Sequence, residues 1–287
     1  MENSLSMSAP IYILRFSRLY PLYFVTFIFV AILQMMAYST RGAFIIYPMN
    51  NLRHFFLSLF FASNWGLQLG FSFNAPTWSV SVEILLYAGF FLVALAVGKR
   101  IVVCLIMMGL GAWMSNHQVA DIGWGLYGFF AGGLAFLLYE RWGRGANGWP
   151  PVLFALGLMI LSAMAIYGLS SSGMSPLQEA LLFGGCFPSL VFLLAAVQNF
   201  SHGAGRSFKI IGDITYATYL LHFPVQLSVI LITGYLGIAL DYTNMVWLVL
   251  FMGAVILISL PTYYLFELPA QHYLRRYFIR RNNDSAS

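Results

Sequence analysis

Charge is scarce in this sequence. Only 8% of its 287 residues are Asp, Glu, Lys or Arg, against about 25% in a soluble domain. That shortage excludes a water-soluble globular protein, because so few charges cannot dress a hydrated surface. Cysteine is nearly missing too: Cys104 and Cys186 are the two. Both lie in apolar runs without the spacing of a disulfide framework or a zinc site, and they read as small buried side chains. The five histidines offer no pair at metal-ligand spacing, so no metal is expected. No Walker loop, no GxGxxG ahead of a helix and no GxSxG elbow occurs. Residues 1–10 lack the charged and apolar regions of a signal peptide.

What is present is apolar length. Hydrophobic residues make up 60% of the chain and the mean hydropathy is +0.80. A membrane-crossing helix needs about 20 mostly apolar residues. Such runs lie near 19–38, 77–97, 101–116, 123–140, 151–169, 179–199, 213–236 and 244–266. The run 53–72 is poorer, since it carries His54, Asn64 and Gln68 and leads into Phe73-Asn74-Ala75-Pro76. It reads as re-entrant or interfacial. The expected fold is all-α, a polytopic bundle of about eight spans plus this one partial element. Glycines at 123, 125, 128, 132 and 133 read as close helix packing.

The formal net charge of +5 would suggest nucleic acid in a soluble protein. Here it sits in alternate loops. Lys99 and Arg100, Arg141 and Arg144, Arg206 and Lys209, and the set Arg275, Arg276, Arg280 and Arg281 are separated by loops without any Lys or Arg. That is the positive-inside pattern, which puts the C-terminus in the cytoplasm and makes 275–287 a basic, then polar, tail. If 53–72 does not cross, Arg15 and Arg18 are cytoplasmic as well. If it does cross, the N-terminus flips outward, and charge alone does not decide.

Ionisable groups in hydrocarbon are costly and each is a functional candidate. Ser79, Glu83 and Tyr87 fall on one face of the helix that begins at Thr77-Trp78. The bland alternative is a structural hydrogen bond to a neighbouring helix. Thr215, Tyr219, His222 and Gln226 line one face of a later helix, with His222 near mid-bilayer. Pro224 in the same helix removes a backbone donor and frees the carbonyl of Leu220. Arg15 and Arg18 share a face ahead of the first span. They read either as snorkelling anchors or as a phosphate clamp, because guanidinium forks pair with phosphate oxygens. His117 and His202 sit in loops, and His54 and His272 near helix ends.

The order of these stretches resembles acyltransferase family 3, membrane enzymes of bacteria that O-acylate sugars and other hydroxylated acceptors. Arg15-x-x-Arg18-x-x-Pro21 matches its arginine motif. Trp78, Ser79 and Glu83 match its Trp-Ser-x-x-x-Glu helix start. Thr215, Tyr216, Tyr219, Leu220, His222 and Pro224 match its late Ser/Thr-Tyr-x-x-Tyr-Leu-x-His-x-Pro segment, and Glu267 and Pro269 its closing Glu-x-Pro. The resemblance covers nearly the whole chain. It implies one acyltransferase-like membrane domain over 1–287, in the bacterial cytoplasmic membrane. It implies transfer of an acyl group, with acetyl first, from acyl-CoA to a hydroxyl of a cell-envelope glycan or similar acceptor. The expected partners are therefore the lipid bilayer, acetyl-CoA and that acceptor, with no permanently bound cofactor and no nucleic acid.

The implied catalytic residues are His222 and Glu83. The implied binding residues are Arg15 and Arg18 for the donor phosphates, Trp78 at the acceptor pocket, and Ser79 and Tyr219. In one respect the sequence departs from the family. Members begin with two further helices, the first carrying an Arg and, some ten residues on, the His regarded as catalytic. The chain is therefore expected to be either a truncated copy or a sequence whose start is placed too late, with His222 as the remaining base or orienting partner. Two other readings stay open: a transporter or flippase of a lipid-linked sugar, for which mid-membrane Glu and His are also suited, and a non-catalytic remnant.

Overall fold

A computed structural model describes residues 2–98, 100–117, 119–143, 149–169, 174–200, 209–241 and 244–284. Lys99, Arg144, His202 and Arg206 lie outside the described residues, as do the side chains of Arg280 and Arg281. Among the described residues the chain is helical and has no strand. Seven helical stretches are long and apolar enough to cross a membrane: Ile13–Arg41, Ala75–Ala96, Ala120–Gly143, Pro150–Gly168, Pro176–Gln198, Lys209–Tyr235 and Met245–Phe278. The expected run at 101–116 forms a shorter helix, Ile101–Ser115. At 1.5 Å per residue its 15 residues reach about 22 Å, short of a hydrocarbon core of about 30 Å. Large apolar side chains are widely exposed, among them Leu92, Leu161, Leu194 and Leu257, as lipid solvent requires. The protein is a multi-pass membrane protein.

The α-helices in chain order are α1 (Glu2–Arg41), α2 (Leu52–Leu59), α3 (Trp78–Val97), α4 (Ile101–Ser115), α5 (Ala120–Leu138), α6 (Pro150–Gly168), α7 (Pro176–Leu181), α8 (Phe187–Phe200), α9 (Lys209–Tyr235), α10 (Met245–Thr262) and α11 (Leu268–Asp284). Local signals fix several starts. Asn51 caps α2 by accepting from the His54 N–H, Ser175 and Gln178 form a reciprocal capping box on α7, and Asn244 caps α10. Single π-turns occupy Tyr139–Gly143, Leu182–Cys186 and Tyr263–Glu267.

The chain divides into two compact units. The first comprises Met1–Ser63, Leu67–Ser81 and Lys209–Ser287. In it α1 packs on α9 and α11, and α9 on α10. Two contacts give the sense of the α1/α9 pair. The Tyr216 hydroxyl donates to the Leu19 carbonyl at 2.7 Å, and Arg41 reaches the Ile230 carbonyl at 3.5 Å. Early residues of α1 thus meet early residues of α9, and late meet late, so the two run parallel. The Arg275 guanidinium, meanwhile, donates to Ser17 Oγ at 3.3 Å. The start of the first span and the end of the last helix therefore lie at one end of this unit.

Residues 42–74 do not form a spanning helix. They descend along α1 and return. Gln34 pairs with the Ile45 backbone through both its amide groups, at 2.8 and 3.0 Å. Sixteen residues later Phe61 packs on Tyr20 and Tyr23, and Phe73 comes back beside Phe27. On α1, Tyr20 is 14 residues from Gln34, a descent of about 21 Å. The segment turns back beside α1, which suits the re-entrant alternative of the two, re-entrant or interfacial, that its interrupted hydropathy allows. Its limbs are zipped by His54. The imidazole Nε2 accepts from the Leu69 N–H at 3.1 Å, so Nδ1 carries the proton and faces Asn51 Oδ1 at 2.8 Å. Arg53 adds a bond to the Leu67 carbonyl at 2.6 Å. Ile46, Phe61 and Phe73 have φ of 66°, 59° and 45°. Each such position costs about 1–3 kcal/mol and persists only where its surroundings compel it.

The second unit comprises Asn64–Gly66 and Val82–Phe208. Its strongest element is the α4–α5 hairpin. A Cβ on Gly111 would lie 2.6 Å from the Tyr127 nitrogen, and one on Gly123 would meet the Ser115 backbone. Gly125 faces Val82 and Gly133 faces Cys104, whereas nothing lies within 4 Å of Gly132. Close packing therefore accounts for most of the predicted glycines but not for Gly132. A small core of Val152, Ala155, Phe192 and Ala196 joins α6 to α8.

Two outcomes follow. Gly123→Ala must push apart two backbones, so it lowers stability by about 1–3 kcal/mol, while Gly132→Ala is neutral. Thermal unfolding of the two purified variants in detergent separates them. The pH dependence of the re-entrant element comes from His54, whose pKa burial lowers from 6.5, with the Arg53 charge adding to the effect. Neutral His54 supports the zipped form above pH 6.5, and that support is lost as pH falls through the lower folded value. Proteolytic cutting within 60–70 should increase on acidification below pH 6.5, and His54→Ala should be cut readily at every pH.

Candidate active site

The polar residues expected to matter fall into three groups. The first surrounds α9 at mid-length. His222 is 13 residues from either end of Lys209–Tyr235, the deepest position available. Its neighbour Pro224 cannot donate to the Leu220 carbonyl, as the sequence implies. That carbonyl is taken instead by the Asn74 amide, Nδ2 to O 3.3 Å. Asn74 is buried, and its Oδ1 has no hydrogen-bond partner among the described residues. The turn Asn74–Trp78 thereby docks on α9. Tyr219 strengthens the join: its hydroxyl donates to the Pro76 carbonyl, so the 2.8 Å bond between Ser79 Oγ and Tyr219 Oη is donated by Ser79.

His222 completes this group. Its Nδ1 lies 2.5 Å from the Tyr219 carbonyl, which can only accept, so Nδ1 carries a proton, and in the neutral ring the lone pair belongs to Nε2. The ring is half-buried and stands 5.8 Å from the Tyr219 ring. The stripe expected on α9 divides along its length. Thr215 is exposed and bonds back to the Ile211 carbonyl at 2.6 Å. Gln226 lines a groove with Val229, Trp247, Leu248 and Phe251.

The second group is on α1. Arg15 and Arg18 are exposed, at the level where Tyr216 bonds Leu19. Tyr216 precedes His222 by six residues, and Arg18 and Arg15 precede Leu19 by one and four, so Arg18 lies about 10 Å and Arg15 about 15 Å nearer the start of α9 than His222 does. Next to them runs a ladder from α11. Gln271 Nε2 donates to Glu267 Oε1 at 3.2 Å, Arg275 Nη2 to Gln271 Oε1 at 3.4 Å, and Arg275 Nε to Ser17 Oγ. Glu267 is 1% exposed, and its second carboxylate oxygen, Oε2, has no hydrogen-bond partner among the described residues.

The third group belongs to the second unit. Glu83 is half-buried and accepts from the Tyr87 hydroxyl one turn later, as their shared face predicts. Asn64 Nδ2 donates to Asp121 Oδ2 at 3.0 Å. His117 bonds the Trp113 carbonyl at a helix end. Among the described residues no three His, Cys, Asp or Glu side chains converge as a metal site would require. The structure thus brings Ser79, Tyr219 and His222 together and sets Arg15 and Arg18 on the same unit. It adds Asn74 and Glu267. The Phe-Asn-Ala-Pro turn flagged Asn74 in the sequence, and Glu267 was matched there as the Glu of the closing Glu-x-Pro.

Residues 8–264 match the acyltransferase domain that defines acyltransferase family 3. The chain belongs to that family. This membrane acyltransferase carries Arg15, Arg18, Trp78, Ser79, Glu83, Tyr219 and His222 within the matched region, while Glu267 falls just beyond it. No curated protein and no solved structure matches the acyltransferase significantly.

The bond from Asn74 to Leu220 can be tested by itself. Asn74→Ala strands a buried carbonyl and should cost the acyltransferase about 1–3 kcal/mol. Pro224→Ala restores an N–H to that carbonyl, so Asn74→Ala should cost much less in the Pro224→Ala background. Melting temperatures of the two single variants and the double variant give the comparison.

Proposed function

We propose that this acyltransferase moves a short acyl group, acetyl first, from acyl-CoA to a hydroxyl of a cell-envelope glycan or similar acceptor, with His222 as general base. The observation that carries the reading is the state of His222. With Nδ1–H spent on the Tyr219 carbonyl, the Nε2 of the neutral ring is an oriented acceptor. It takes the proton of the acceptor hydroxyl as the oxygen attacks the thioester carbonyl. Collapse of the tetrahedral intermediate expels the coenzyme thiolate, which regains that proton. An imidazole fits the task because its proton equilibrium lies near neutral pH.

Arg15 and Arg18 serve the donor. Their guanidinium groups grip the coenzyme phosphates at the membrane surface, and the long coenzyme arm carries the thioester inward toward His222. The charge alternation of the loops assigns that surface to the cytoplasm, where acyl-CoA is made. The Ser17–Arg275 bond and the parallel run of α1 and α9 support one cytoplasmic end for Arg15, Arg18 and the basic tail. The bacterial cytoplasmic membrane is the setting this implies. Ser79 and Tyr219 hold the wall of the site beside His222. Trp78 and Glu83 are assigned to the acceptor by their motif alone.

The test is thiol release from acetyl-CoA by membranes containing the full chain, with a hydroxylated envelope acceptor supplied. His222→Ala should lower release by about 10²-fold or more. Arg18→Gln should raise KM for acetyl-CoA about tenfold while leaving kcat within a few-fold, since a charge-assisted contact contributes about 1.5–3 kcal/mol. Release that persists unchanged in His222→Ala overturns the catalytic assignment. Absence of release with every donor tried, together with uptake or flipping of a lipid-linked sugar, moves the function to transport.

A further inference from the structure

Gln226 has no part in the mechanism above, yet it continues the face of α9 that carries His222. The two are four residues apart, one helical turn or about 6 Å, with Gln226 farther from the end of the unit that holds Arg15 and Arg18. Gln226 is half-buried, and its carboxamide makes no hydrogen bond among the described residues. An amide at bilayer depth is costly to leave unused. It lines the groove between α9 and α10 that Val229, Trp247, Leu248 and Phe251 complete. Trp247 and Phe251 stand one turn apart on α10, with ring centroids 6.5 Å apart and planes inclined by 34°. Trp247 is the third residue of α10, so the groove runs inward from the joined ends of α9 and α10 toward the level of His222. Its volume is about 160 Å³, and a cavity of about 150 Å³ takes one six-membered ring.

We propose that this groove is the acceptor subsite and that it seats a single pyranose ring of the acceptor. The proposal rests on the reading of His222 as the base that takes the acceptor's hydroxyl proton. A pyranose presents C–H groups on its faces and hydroxyls around its rim. Aromatic rings, whose faces are electron-rich, suit the C–H groups. The Gln226 carboxamide, which donates and accepts at once, suits a pair of neighbouring hydroxyls. A phospholipid chain would use the aromatic wall but leave the amide unpaired, and Gln226 is therefore the feature that favours the sugar. Donor and acceptor then reach His222 from opposite ends of α9. The coenzyme comes from the end of Arg15 and Arg18, the sugar from the α9–α10 connection, and the two do not compete for one mouth.

The experiment is saturation-transfer NMR on the full chain in lipid nanodiscs, which needs no donor and no turnover. The probes are the methyl glycosides of glucose, galactose, mannose and N-acetylglucosamine. At least one should receive saturation at its ring C–H protons. Gln226→Leu keeps the bulk of the side chain and removes only its hydrogen bonding. It and Trp247→Ala should each weaken binding of that sugar about tenfold, and Trp247→Phe, which keeps an aromatic wall, should lose less than Trp247→Ala. With acetyl-CoA present, the first two variants should raise KM for the sugar about tenfold and leave kcat within a few-fold. No saturation of any probe overturns the inference, as does saturation that Gln226→Leu and Trp247→Ala leave unchanged. Tryptophan quenching by a chain-brominated phospholipid that Trp247→Phe removes, without a sugar signal, gives the groove to a lipid chain and also overturns it. Acetyl transfer to a sugar that needs His222 but neither Gln226 nor Trp247 overturns the subsite and leaves the base in place. Sugar binding that needs Gln226 and Trp247, without acetyl transfer to any bound sugar, overturns both the base assignment and the acceptor role of the groove.

Discussion

A peptide carbonyl without a partner is hard to keep in hydrocarbon, and Pro224 creates one in the middle of α9. The helix resolves it by recruiting the amide of Asn74 to Leu220. Much of the first unit is arranged around that single bond. It draws the turn ahead of α3 onto α9, and so gives Ser79 and the Pro76 carbonyl their places at the Tyr219 hydroxyl. The Tyr219 carbonyl in turn fixes the tautomer of His222. A proline that would weaken a soluble helix thus organises the region where the chemistry is proposed, because the bilayer leaves a freed backbone group few alternatives.

The re-entrant element obeys the same rule from the other side. Irregular backbone at membrane depth survives only when protein satisfies it. Here Gln34, Asn50, Asn51 and His54 do so, each with a short bond to backbone. Aromatic packing against α1 from Tyr20 to Phe27 supplies the apolar contacts. The three positive-φ residues sit at its beginning, its tip and its return. Strain is thus confined to the points where the chain changes direction, while the limbs between them are bonded and packed.

Part of this was legible in the sequence. Long apolar runs announce the helices, because lipid tolerates nothing else. The i, i+4 spacing of Glu83 and Tyr87 and the cost of Pro224 to Leu220 are local, and both appear as expected. The partner of the Leu220 carbonyl was not legible. Asn74 lies 146 residues away in sequence, and no periodicity connects them. The same holds for Ser17 and Arg275, 258 residues apart. The four-residue steps from Glu267 to Gln271 to Arg275 could be read as one helical face. That the face meets α1 beside Arg18 required the fold. The α9 stripe was read as one polar surface, and the structure divides it: Thr215 back-bonds to its own helix, whereas Gln226 borders a groove shared with α10.

The first unit is made of the two ends of the chain, with the second unit between them in sequence. Helices enter the membrane in the order of synthesis, so α1 arrives before most of the second unit and α11 after it. For most of translation, then, α1 and its re-entrant companion wait without α9, α10 or α11. The aromatic contacts between α1 and residues 42–74 can form at once, being local. The Ser17–Arg275 bond can form only after the second unit has been made and α11 has followed it. Assembly of the end that carries Arg15 and Arg18 is thereby coupled to synthesis of α11. A chain stopped before α11 carries both arginines but cannot surround them, and the cell meets it as an unfinished protein rather than as a weak enzyme.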